Sequence, residues 1–177
     1  MRRSVSAIIA LTKRNLKEIL RDPVSLAFLI LMPLVMELLF YFIFHDLTAQ
    51  FEMRYLAPGI VVFSQAFLTL FSGLLIALDR STSFMTRLFV IKVKSHEFIF
   101  GYVFSLLPIA AAQSVLFFLV GGIFDPSMFC AGMIYGILCS LFTATLFMGL
   151  GILLGSICNE KSIGGVSSIV VMCQSVL

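Results

Sequence analysis

Charge is what this chain has least of. Of its 177 residues only 12% are charged while 60% are hydrophobic, and the mean hydropathy is +1.11. A soluble domain carries about one-quarter charged residues, so a chain this poor in charge cannot cover a water-facing surface, and its solvent is largely lipid. That excludes a soluble enzyme. A net charge of only +3, scattered along the chain, also excludes a nucleic-acid reader. Reactive chemistry is equally sparse. Cys130, Cys139, Cys158 and Cys173 lie in or beside apolar runs without a C-x-x-C pair, so they read as packing residues and not as disulfides or zinc ligands. His45 beside Asp46 and His96 beside Glu97 lack a second ligand at metal spacing and read as wetted interface residues. No phosphate-cradling glycine loop occurs, since Lys161-Ser162 lacks its glycines. No small-residue cleavage site follows Arg2-Arg3. With no convergent acid, base and nucleophile, the chain is expected to hold no catalytic residue, no metal and no cofactor of its own.

What the chain does have is long apolar runs. A membrane helix needs roughly 20 residues, and four runs reach that length: 24–44, 57–78, 98–124 and 129–157. A fifth, 163–177, stops after 15 residues, about 22 Å of helix, and reads as a partial span. The runs are continuous and lack the alternation of barrel strands. They predict an all-α polytopic membrane protein: an amphipathic segment over 1–23, then a membrane domain over 24–177. Of the 12 basic residues, Arg54 alone falls on the side opposite the others. The positive-inside rule then predicts a cytoplasmic N-terminus and a cytoplasmic 79–97 loop.

Residues 4–21 place Val5, Ile8, Ile9, Thr12, Leu16, Ile19 and Leu20 on one helical face and Lys13, Arg14, Lys17, Glu18 and Arg21 on the other. Such a helix is expected to lie on the bilayer surface with its basic side toward anionic headgroups. Asp22-Pro23 ends it, with Asp22 placed to cap the next helix and Pro23 in its first turn. The loop 79–97, DRSTSFMTRLFVIKVKSHE, is unusually apolar for a tether. Met85, Leu88 and Phe89 share one helical face, which needs a cover, either headgroups or a partner protein. Glu37 lies 13 residues into the first run, where a charge costs roughly 2.5–3.5 kcal/mol. It reads either as facing a translocation path or a helix interface, or as snorkelling outward or staying uncharged. Gly132, Gly136, Ser140 and Ala144 recur at every fourth position, followed by Gly149, Gly151 and Gly155, a pattern for close helix packing. Pro33 and Pro108 are expected to kink their spans.

Taken in order, these features resemble the membrane subunits of type 2 ABC exporters. Leu20-Arg21-Asp22-Pro23 is similar to the end of that family's elbow helix. The segment from Asp79-Arg80 through Phe84, Met85, Arg87 and Leu88 is similar to its coupling segment, and Glu97-Phe98-Ile99-Phe100-Gly101 to the opening of its third span. Ser83 and Lys92 stand where that family has glycine and proline. The resemblance implies a permease that pairs with a second membrane subunit, expected to be a copy of itself. It also implies a separate cytoplasmic ATPase that holds ATP and Mg²⁺ and is touched by Phe84, Met85, Arg87 and Leu88. The expected location is the inner or plasma membrane. The family continues beyond a fifth span, so the resemblance further implies a truncated or partial chain ending near Leu177. The rival readings are an ion-coupled secondary transporter and a non-transporting subunit.

Overall fold

In the computed structural model, which describes residues 2–44, 52–82 and 94–176, every long apolar run forms a helix. Backbone groups in lipid must be satisfied within their own segment, and helices do this. The order is α1 (Arg2–Arg21), α2 (Pro23–Phe44), α3 (Met53–Ser81), α4 (Ser95–Phe124), α5 (Ala131–Ile157) and α6 (Glu160–Val176). There is no strand among the described residues. Helices α2 to α5 are each long and apolar enough to cross a membrane, so the chain is an all-α polytopic membrane protein. Helices α3 and α4 run several residues past the expected spans, whereas α5 begins two residues later than the predicted 129. The delay comes from a 3-10 turn at Pro126–Met128, where Asp125 Oδ1 accepts the Ser127 N–H at 3.0 Å. The helix expected at 163–177 begins earlier, at Glu160.

Helix α3 is the hub, packing most extensively on α5 and also on α6, α4 and α2. Its sequence explains why. Gln65, Thr69 and Ser72 recur along one face, and polar groups at membrane depth must find partners. Gln65 Nε2 donates to the Ser140 carbonyl at 2.8 Å while its Oε1 accepts from Thr143 Oγ1 at 2.6 Å. Thr69 donates to the Phe147 carbonyl at 3.1 Å and Ser72 to the Met148 carbonyl at 3.3 Å. These bonds reach backbone because α5 presents glycine. A Cβ on Gly151 would lie 2.2 Å from the Thr69 carbonyl oxygen, and one on Gly155 would lie 2.3 Å from that of Gly73. Only glycine permits that approach. Two apolar clusters flank the polar seam, one around Leu68, Ile76, Tyr102, Leu106 and Met148 and the other around Ala57, Ile60, Phe117 and Phe118.

Helix α2 is held least. Within its apolar window 17% of residues are buried, against 61% for α3, so it sits at the rim. Pro33 has no N–H to give the Leu29 carbonyl four residues back. Gln113 of α4 supplies the missing donor, its Nε2 lying 2.7 Å from that oxygen.

Candidate functional site

A cluster of charged and polar contacts joins distant parts of the chain where α3 ends and α4 begins, on either side of the 83–93 connection. Asp79, in the last turns of α3, is only 6% exposed. A carboxylate buried to that degree needs charge and hydrogen bonds. Arg14 of α1 supplies both as a two-pronged pair, Nη2 to Oδ1 at 2.7 Å and Nη1 to Oδ2 at 2.9 Å. The Tyr102 hydroxyl of α4 donates to the same Oδ2. Arg14 also meets Glu18 at 3.0 Å and the Asn15 Oδ1 at 3.1 Å. The Asp79 hydrogen bond raises the Arg14 pKa further above its ordinary value, against the partial burial that works to lower it. Three helices thus meet on one carboxylate.

The neighbouring residues reinforce that junction. The Arg80 guanidinium donates to the carbonyls of Gly155 at 3.2 Å and Cys158 at 3.4 Å, and also to that of Ser156. These are the carbonyls that the end of α5 leaves without helical partners. Thr82 Oγ1 donates to the Asp79 carbonyl at 3.0 Å and closes α3. At the start of α4, Glu97 is buried and its Oε2 accepts the Lys94 N–H at 3.2 Å, as an acidic residue in the first turn of a helix can. Gly101 makes room for α1, since a Cβ there would lie 2.8 Å from the Leu11 Cβ, and its carbonyl accepts from Thr12 Oγ1 at 3.4 Å.

A family model, that of the ABC-2 type transporter, matches residues 6–177. The chain belongs to the ABC-2 type transporter family. No curated protein and no solved structure shows a significant match. In this ABC-2 permease α1 is thus bonded to the base of the connection between α3 and α4.

Of the other residues singled out in the sequence, Lys13, Lys17 and Arg21 are exposed. Asp22 makes the α1–α2 corner, its Oδ1 accepting the Ser25 N–H at 3.3 Å just before Pro23 opens α2. Hydrogen bonds from Ser25 hold the Asp22 carboxyl below the usual carboxylate range. Phe84, Met85, Arg87 and Leu88 lie outside the described residues. Glu37 does not snorkel: it is 0% exposed, and neither carboxyl oxygen has a partner among the described residues. In the small-residue series, Gly136 lies against the Phe118 ring, Ser140 Oγ bonds Ser114 Oγ at 2.8 Å, and Ala144 is fully buried. Gly132 meets only the Cys130 sulfur of its own flank.

The face of α1 is a correction. The reading that turned Arg14 toward headgroups fails, because Leu11, Asn15 and Ile19 form the buried stripe while Val5, Ile9 and Leu20 are exposed. Helical spacing separated apolar from basic residues, but the inward face is chosen by Asp79, 65 residues away. Tyr102 and Gln113 were missed as well. A signal for the first existed in the carboxylate at the end of an apolar run, which had to find a donor. The signal for the second was Pro33, which leaves a carbonyl unbonded.

Proposed function

We propose that this chain is the permease subunit of an ATP-driven exporter, which lines the translocation path with a second permease subunit, expected to be a copy of itself. A separate cytoplasmic ATPase drives it through the 79–97 segment. The N-terminus faces the cytoplasm and the membrane is the inner or plasma membrane, as the distribution of basic residues supports. The observation that carries this reading, beside family membership, is the anchoring of the base of that segment. Asp79 ties α3 to α1 and α4, and Arg80 ties it to the end of α5. A force on the connection therefore reaches four helices at once. No helix can yield alone, so the response is a rocking of packed elements between discrete arrangements. The free energy comes from ATP held with Mg²⁺ by the partner, while this chain positions, receives and transmits.

Photocrosslinking residues placed at Phe84 and Leu88 test the reading in native membranes. A P-loop ATPase crosslinked at both positions, with ATP-dependent transport lost in Phe84→Asp and Leu88→Asp, is the expected result. Crosslinks to lipid alone, with both aspartate variants fully active, overturn it. In sealed vesicles an ion gradient that drives transport without ATP would identify a secondary transporter instead.

A further inference from the structure

At the end of the bundle away from α1, a groove of about 450 Å³ runs between α3 and α5. Val61, Phe118, Met133 and Gly136 form its walls, Thr143 lies at its deep end, and Arg54 and Ser127 stand at its mouth. From Gly132 to Thr143 the α5 wall spans twelve residues, about 16 Å of helix. That is about half of the ~30 Å hydrocarbon core, the thickness of one leaflet. A wall of that length matches one hydrocarbon chain of a single leaflet.

The mouth selects the head. Arg54 is exposed there. Asp125 stands within its electrostatic reach, and its carboxyl is held below the usual range first by Ser127 hydrogen bonds and then by Arg54. A phosphate fits the guanidinium, but a net anionic head would also meet the Asp125 carboxylate. A head that carries phosphate and amine together satisfies both charges.

We propose that this groove holds one acyl chain of a zwitterionic outer-leaflet phospholipid, its phosphate on Arg54 and its amine toward Asp125. The leaflet assignment rests on the orientation proposed above, but the site itself does not. It places a specific lipid against the α3–α5 seam.

The test uses the full chain in vesicles of phosphatidylethanolamine and phosphatidylglycerol, with one lipid at a time carrying a mid-chain diazirine. Photoadducts on Met133 and Cys139, more abundant from phosphatidylethanolamine, are the expected result. Gly132→Leu, whose new side chain enters the mouth where a Cβ meets only the Cys130 sulfur, removes adducts from both probes. Arg54→Gln lowers the phosphatidylethanolamine adduct about fivefold, the ratio set by one modest charged contact. Asp125→Asn removes the preference between the two lipids. Equal labelling of Met133 by both probes overturns the proposal. So does labelling spread evenly over the lipid-facing Leu138 and Leu146 and unchanged by the variants. If Gly132→Leu fails to insert, the exposed Arg54 substitution still decides. No nucleotide or ATPase enters the assay, so its failure leaves the exporter reading standing.

Discussion

Asp79 concentrates more of the architecture than any other residue described. Removing its carboxylate as Asp79→Ala leaves Tyr102, which is fully buried, with a hydroxyl deprived of its acceptor, a loss of roughly 1–3 kcal/mol. Arg14→Gln keeps the buried Asp79 carboxylate but removes its counter-charge, which costs more than depriving a neutral hydroxyl of its acceptor, so it is expected to be the more destabilising of the two. Thermal unfolding in detergent checks the order; an equal or reversed ranking would show that the carboxylate does not depend on Arg14. Glu37 is the converse case. With both oxygens buried and unpartnered among the described residues, Glu37→Leu is expected to raise stability by about 1–3 kcal/mol. A lowered unfolding midpoint would reveal a partner. Asp22 gives a pH effect of determined sign. Its folded pKa is depressed, so its contribution to the corner is present above the unfolded value of about 4 and is lost as pH falls through the folded one. Amide exchange at Ser25, corrected for intrinsic rate, should accelerate across that acid window in the native chain and stay flat in Asp22→Asn.

At the scale of helices, glycine is not interchangeable along α5. Gly155→Ala drives a methyl group into the Gly73 backbone and is expected to cost about 1–3 kcal/mol. Gly149→Ala meets nothing within 4 Å and should be neutral or stabilising by up to ~1 kcal/mol. Both measurements belong to one unfolding series, and parity between them would rule out the tight seam. The contrast also shows what could be read from the chain alone. Four spans were legible because lipid demands continuous apolar helices, and the small-residue repeat announced a close contact. Which glycines touch was not legible, since Gly149 and Gly151 have equal standing in the repeat and differ only in rotation about the axis. Asp79 and Arg80 were singled out for their place in the 79–97 loop, not for the contacts they make inside the bundle. The partners of Asp79 lie 23 and 65 residues away and those of Arg80 75 to 78, beyond the reach of any helical period. Helix α2 follows the same logic: Gln113→Leu should destabilise it, and a Pro33→Ala background should absorb most of that loss by returning an N–H to the Leu29 carbonyl.

For the whole molecule, the Arg14–Asp79–Tyr102 junction sets an order of assembly. Its three members come from the first, third and fourth helices, so during synthesis the arginine emerges long before the buried carboxylate that it pairs with. Until then this contact does not hold the leading helix to the bundle. Only when the fourth helix has left the ribosome does the early segment become locked to the rest.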